Sequence, residues 1–259
     1  MAEQRQGRFH VDPDALRCNE IALSAQTVHH MRVMRLRAGD RVRLFDGSGR
    51  EVEAELGELA DEGGHAIALR RLEPTTESAL RIVLVQAIPV KLPRMDAIVR
   101  QVTELGVHRV VPVITEHSQL PGGGIAVIER RASRWRRIAT AAASQSGRST
   151  VPRVESPVRW GDLDWDAMPR PMLLLCASAD QALHQVLRGA SAGAVTVAVG
   201  PEGGWSDAEQ RQAVRRQAAP VALGPRILRA DSAAVVAISV LQYEWGDLAA
   251  SPPTPATGC

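Results

Sequence analysis

From about residue 81 onward, short apolar runs alternate with amphipathic segments, and this alternation constrains the fold more than any other feature of the chain. The segment LPRMDAIVRQVTEL, for example, places Met95, Ile98, Val102 and Leu105 on one helical face, and Gly106 follows as a helix stop. Strands that alternate with helices predict a mostly parallel sheet with helices on its faces, an α/β fold. The predicted strands are residues 81–88, 109–115, 172–177, 194–200 and 220–224.

Three further helices complete the alternation. A long one covers residues 128–145 and carries arginines on its polar face, and others are predicted at residues 206–218 and 232–245. Ser206, with Glu209 three residues later, forms a capping box at the start of one of them.

The first 74 residues have a different pattern, with short β-like runs. Residues 41–45 and 51–56 read as two alternating strands joined by a glycine-bearing turn, and HAIALRRL reads as another. Short strands at this spacing predict a small barrel. We therefore predict a barrel domain at residues 1–74, a linker within residues 73–78, an α/β domain at residues 75–248 and a Pro-rich disordered tail at residues 249–259.

Charge is unevenly distributed along the chain. Residues 1–74 carry 11 Lys/Arg and 13 Asp/Glu, a balance of −2, whereas residues 91–159 carry 12 and 5, a balance of +7. A basic segment suits a phosphate-bearing partner, although a solvated helix face would look the same.

Several sequence features indicate the cellular compartment and exclude some classes of ligand. Cys18, Cys176 and Cys259 lie far apart and none has zinc-ligand spacing, so we expect no metal. The N-terminus has no apolar core like that of a signal peptide, and the longest apolar run is about half a membrane span. We expect a cytoplasmic protein without a membrane partner.

Two turns between a strand and a helix stand out as a candidate site. They are the GPEGG loop (residues 200–204) and the LGPRIL loop (residues 223–228), which begins the stretch LGPRILRADSA. Glycines let a ligand lie against the main chain, and prolines lower the ordering cost of binding. Ligands of parallel sheets bind beyond the carboxyl ends of the strands. Two ordinary tight turns would be the simplest alternative.

The residues of these loops restrict which class of ligand could bind there. The G-x-G-x-x-G and GK[ST] phosphate-binding patterns are absent, and Glu202 would repel phosphates. A carboxylate can instead bind the hydroxyl groups, the amine or the positive charge of a ligand. S-adenosylmethionine, with a ribose, an amine and a sulfonium, fits this requirement.

Five stretches resemble the ribosomal RNA small subunit methyltransferase E family of the SPOUT methyltransferases, which methylates N3 of a uridine in 16S rRNA. They occur in the family's order, and the resemblance extends over the chain from about residue 9 to 248. They are HHMRVMRLRAGDRVRLFDGSG (residues 29–49), RQVTELGV (100–107), QSGR (145–148), GPEGGWSDAE (200–209) and LGPRILRADSA (223–233).

The resemblance implies a SPOUT-type parallel sheet with a trefoil knot, preceded by a small PUA-like β-barrel. It also implies a homodimer whose barrel and basic helix bind 16S rRNA, as part of the small ribosomal subunit. S-adenosylmethionine would be held by Gly200, Pro201, Glu202, Gly203, Gly204, Leu223, Gly224, Ile227, Leu228 and Ser232.

The last stretch departs from the family's usual L-R-T-E-T-A. Ala230 loses a hydroxyl, Asp231 is one methylene shorter than glutamate, and Ser232 replaces threonine. A family lysine is replaced by Gln101. Arg229 is retained.

Methylation of uracil N3 needs the loss of its proton, and the charge that develops spreads onto O2 and O4. A cationic donor near these oxygens would stabilise it, and Arg229 is the first candidate and Arg226 the second. Asp231 or Glu202 is a candidate proton acceptor, but either would also suit helix capping or the orientation of Arg229. N3 is hidden in base pairs, so the uridine must be unpaired or extruded.

The expected RNA contacts are His30, Arg32, Arg35 and Arg148, although a histidine such as His30 is more often a plain surface or packed residue. Trp205 is expected either to border the site or simply to pack.

Two other functional classes predict different sequences. A non-catalytic RNA-binding protein of ribosome assembly would not need paired glycine loops, and a dinucleotide-dependent enzyme would carry the missing G-x-G-x-x-G.

Overall fold

The computed structural model describes residues 7–73, 76–119 and 124–249. Part of the sequence-predicted linker (74–75) and nearly all of the tail (250–259) lie outside these residues. The described chain divides into two compact units. One takes the chain up to Glu77 together with Thr140–Val151, and the other takes Ser78–Ala139 and the chain from Pro152 onward. Within the described residues, no helix has both the length and the apolar character needed to cross a bilayer.

The N-terminal unit is built on a five-stranded sheet in the order β1-β3-β4-β5-β2. β1 runs parallel to β3 and the other pairs are antiparallel. The sheet curls into a half-barrel around Phe9, Ile21, Val42 and Leu44, and it matches the PUA-like prediction. Its strands are Arg8–His10 (β1), Glu20–Ser24 (β2), Arg41–Phe45 (β3), Glu51–Ala60 (β4) and Gly63–Leu72 (β5).

A short helix in this unit was missed by sequence analysis. α1 (Ala25–Val33) follows β2, with Ser24 as its N-cap: the Ser24 hydroxyl accepts from the Thr27 amide. Of its nine residues only Val28 and Met31 are buried. Two apolar positions are too few to produce a helical periodicity that a sequence can reveal.

The C-terminal unit contains the parallel sheet predicted from the strand–helix alternation. Its order is β12-β10-β11-β6-β7-β8, and β9 also pairs with β7. Every pairing in the sheet is parallel. The strands are Arg81–Ala87 (β6), Arg109–Ile114 (β7), Arg153–Val154 (β8), Val158–Arg159 (β9), Met172–Leu175 (β10), Ala194–Val199 (β11) and Ala218–Val221 (β12).

Both faces of this sheet are buried, as parallel sheets require. In β6, Ile82 and Leu84 point to one side and Val83 and Val85 to the other, and all four are at most 2% exposed. The described helices after α1 are Leu92–Glu104 (α2), Gly124–Ser146 (α3), Leu183–Leu187 (α4), Asp207–Arg215 (α5) and Ala230–Glu244 (α6). The sequence-predicted helices correspond to α2, α3, α5 and α6.

The start of α6 corrects one sequence interpretation. The helix begins at Ala230, two residues before the predicted start, and its N-cap is Arg229. The suggestion that Asp231 caps this helix is therefore wrong, since Asp231 lies in the first turn. The capping box of Ser206 and Glu209 is confirmed at the start of α5.

Candidate active site

Three neighbouring strands of the parallel sheet end at a cavity of about 440 Å3. β10 lies between β11 and β12, so the segments that follow these strands meet at one carboxyl edge. The volume is that of a small-molecule site. The cavity is lined by residues 175–178, 199–202, 204, 205, 210, 221, 223, 224, 226–230 and 233.

The GPEGG loop is packed against a tryptophan. Trp205 is 7% exposed, and its Nε1 donates a hydrogen bond of 2.9 Å to the carbonyl oxygen of Leu175, at the end of β10. A Cβ on Gly200 would lie 3.2 Å from the indole ring. Glycine at this position therefore allows the main chain to lie directly on Trp205, which both borders the cavity and packs in the core.

Glu202, the carboxylate within the GPEGG loop, accepts hydrogen bonds from other residues of the protein. It accepts a 3.1 Å hydrogen bond from the Val90 amide and a short ion-paired hydrogen bond from Arg94. Burial alone would raise the pKa of Glu202, but the bonds from Val90 and Arg94 outweigh it and hold this pKa below its usual value. The residue is thus a carboxylate at neutral pH, with hydrogen-bonding partners already in place.

The LGPRIL loop forms the opposite wall. Gly224 has a φ of +119°, a conformation that side-chain-bearing residues rarely adopt. Arg226 and Arg229 both line the cavity. The Arg229 side chain is 68% exposed, and its Nε lies 3.4 Å from Asp231 Oδ1. Asp231 also accepts a bond from the Ser232 amide.

The structure brings most of the sequence-predicted cofactor residues together. Gly203 and Ser232 do not line the cavity, and neither does Asp231. The segment after β10, with Cys176 and Ser178, was missed. The strand itself was recognised in the sequence, but nothing local indicates that it lies between β11 and β12.

Three of the four residues expected to contact RNA lie on the surface, and the fourth is buried. His30, Arg32 and Arg35 are exposed at or just after α1. Arg32 pairs with Asp61, and Arg35 has a φ of +61°. Arg148 is only 4% exposed and donates a 2.9 Å hydrogen bond to Glu77, so the structure gives it a buried structural position and not a surface one.

Comparisons with known proteins agree with this architecture. A family model described as an RNA methyltransferase domain matches residues 76–242, and one described as an RNA methyltransferase PUA domain matches residues 23–69. The ribosomal RNA small subunit methyltransferase E of Synechocystis sp. is 34% identical over 237 residues, which are 90% of this chain and 76% of the relative. That of Mycobacterium bovis is 30% identical, over 84% of each chain.

Two solved structures are similar along nearly the whole chain. One is a ribosomal RNA small subunit methyltransferase E from Neisseria gonorrhoeae bound to S-adenosyl methionine, with a TM-score of 0.85 and 33% identity. The other is a putative methyltransferase from Legionella pneumophila in complex with the cofactor SAM, with a TM-score of 0.84 and 30% identity. Each match covers 94% of this chain and 100% of the other. With both domain models matched, and with relatives at least 30% identical matched over three quarters or more of their length, the chain belongs to the ribosomal RNA small subunit methyltransferase E family.

Proposed function

We propose that this protein is an S-adenosylmethionine-dependent methyltransferase that modifies N3 of a uridine in 16S rRNA, within the small ribosomal subunit. The observation that carries the proposal is the shared cavity between the GPEGG and LGPRIL loops, in a chain of this family. The non-catalytic alternative has no support, because similar structures hold the methyl donor.

The residues around the cavity fit S-adenosylmethionine. Glycine main chain at Gly200 and Gly224 offers amide and carbonyl groups to an adenine and an amino acid moiety. Apolar walls from Leu175, Val199 and Val221 exclude water. When bound there, the cofactor supplies a methyl group on a positively charged sulfur.

The chain's own contribution is then positioning and charge stabilisation. We assign Arg229 to the uracil oxygens O2 and O4, which carry the negative charge of the deprotonated base, with Arg226 as the second cation. We assign Asp231 to the orientation of Arg229, because the two side chains form an ion pair and Asp231 lies off the cavity lining.

Three further features belong to the proposal: a trefoil knot in the C-terminal domain, a homodimer and a cytoplasmic location. The dimer is supported by exposed apolar side chains on the LGPRIL loop and on α6, the helix that follows it. Ile227 is 88% exposed and Tyr243 of α6 is 63% exposed, a feature typical of association surfaces. We also propose residues 1–74 as the RNA-binding domain and residues 75–248 as the catalytic one.

The experiment that tests the function uses small ribosomal subunits that lack the modification. The protein is incubated with them and with a radiolabelled methyl donor, and the labelled nucleotide is located by digestion and mass spectrometry. We expect one N3-methyluridine in 16S rRNA. A label on a ribose, on another base or on 23S rRNA would contradict the proposal.

Replacing Arg32 and Arg35 together by alanine should weaken RNA binding. If each cation contacts a phosphate, the slope of log affinity against log salt should fall by about two. The measurement is RNA affinity across a salt series. The control is the pair Arg17→Ala and Arg70→Ala, which removes the same charge from exposed positions of the same unit. An equal loss in both variants would show an effect of net charge alone and contradict a local contact.

A further inference from the structure

The Glu202 side chain fastens the GPEGG loop to the segment that connects β6 to α2. Glu202 Oε2 accepts from the Val90 amide and Oε1 accepts from Arg94, so both carboxylate oxygens are used. Val90 lies on the connection between β6 and α2, and Arg94 lies in the first turn of α2. β6 is the neighbour of β11 in the sheet, so the contact joins the ends of two adjacent strands.

The other end of the loop has separate attachments. The Nδ1 of His117, which follows β7, lies 3.1 Å from the Gly204 carbonyl oxygen. A Cβ on Gly203 would lie 3.0 Å from the His117 Cβ, so the two main chains are close. Trp205 is anchored to Leu175. The middle of the loop, in contrast, is held by the Glu202 carboxylate.

The ion pair is partly shielded from water, since the Arg94 and Glu202 side chains are 27% and 24% exposed. Shielding strengthens a charge pair relative to one on an open surface. The lowered pKa of Glu202 agrees with a carboxylate that is stabilised in its charged form. Glu202 therefore has its charge balanced by Arg94 instead of by a ligand.

We propose that Arg94 and Glu202 act as a positioning pair, which holds the GPEGG loop in the conformation that receives the methyl donor. This inference rests on the proposed function, and it assigns Glu202 to the loop and not to the cofactor's amine or the N3 proton. Sequence analysis did not single out Arg94, which is 108 positions from its partner.

The physical reason is the conformational freedom of the loop. Three glycines in five residues give an unattached loop many conformations, and ordering them on binding would weaken affinity. A loop already held by Glu202 avoids this cost. The pair should thus influence the affinity for the donor and leave the chemical step and the RNA affinity unchanged.

The test measures S-adenosylmethionine and S-adenosylhomocysteine binding by calorimetry, together with steady-state kinetics, for R94A, E202Q and the double variant. In R94A we expect Kd and KM for the donor to rise about tenfold, within the usual range of coupling between sites, with kcat and the KM for RNA unchanged. R94K should restore part of the affinity, because it retains the positive charge. The double variant should be no weaker than R94A.

The matched control is R100A, which removes an exposed arginine from the same helix. Within the part of the chain that the structure describes, Arg100 has no ion pair, so donor affinity should be unchanged. A fall in kcat with unaltered donor affinity, or losses in the two single variants that add in full, would overturn the pairing. Wild-type protein that binds no donor would instead refute the proposed function itself.

Discussion

Replacing Arg229 by alanine is expected to slow methyl transfer by about 100- to 1,000-fold while leaving the fold and donor binding close to wild type. The side chain is 68% exposed and makes no capping hydrogen bond for α6, so its removal should cost little stability. Loss of a charge-stabilising donor from an active site typically lowers turnover by about 100- to 1,000-fold. The measurement is single-turnover methylation of unmodified small subunits at saturating donor.

Arg226→Ala is the comparison for this prediction, because Arg226 lines the same cavity and lies three residues earlier in the chain. If Arg229 is the main cation, Arg226→Ala should retain much more activity than Arg229→Ala. Unchanged turnover in Arg229→Ala would remove this residue from the mechanism. A large loss in Arg226→Ala alone would exchange the two assignments.

Replacing Trp205 by alanine should affect both stability and the cofactor site. The side chain is buried against Trp160, with ring centroids 4.4 Å apart, and it supports the main chain at Gly200. Large-to-small changes of buried aromatic residues cost about 3–5 kcal/mol. The variant also leaves the Leu175 carbonyl without its indole donor. We expect a lower free energy of unfolding in urea and weakened donor binding even where the protein is folded.

Trp205→Phe separates the two contributions. It retains most of the buried volume but leaves the Leu175 carbonyl without its donor, so it should lose about 1–3 kcal/mol. A Trp205→Ala protein with wild-type stability and donor affinity would show that this contact does not support the loop.

Much of the fold could be predicted because its signals are local. The alternation of β11, α5, β12 and α6 is visible in apolar periodicity, and the strand bounds agree to within one or two residues over most of the sheet. The small N-terminal strands were harder to predict. β1 has three residues, too few for a period to appear, and its pairing with β3 joins distant parts of the chain.

The two loops of the candidate site could also be predicted from the sequence. Glycine and proline mark tight turns in any context, so both loops could be identified before their positions were known. The roles of individual charged residues could not be predicted from the sequence. Arg148 resembles an exposed arginine of a basic stretch, but its side chain is buried beside Glu77, 71 residues away. Arg94 resembles a solvated helix residue, but it binds the GPEGG loop.

The sequence by itself determined the main alternation of the C-terminal unit (β6, α2, β7, α3, β10, β11, α5, β12 and α6), the two glycine-bearing loops and the likeness to one methyltransferase family. Each of these depends on neighbouring residues and on local backbone preference. Only the tertiary structure decided that β10 lies between β11 and β12, which brings Cys176 and Ser178 to the cavity. It also decided which partner each charged side chain has. Strand order and burial result from packing between distant segments, and no local pattern specifies which distant group will neutralise a charge.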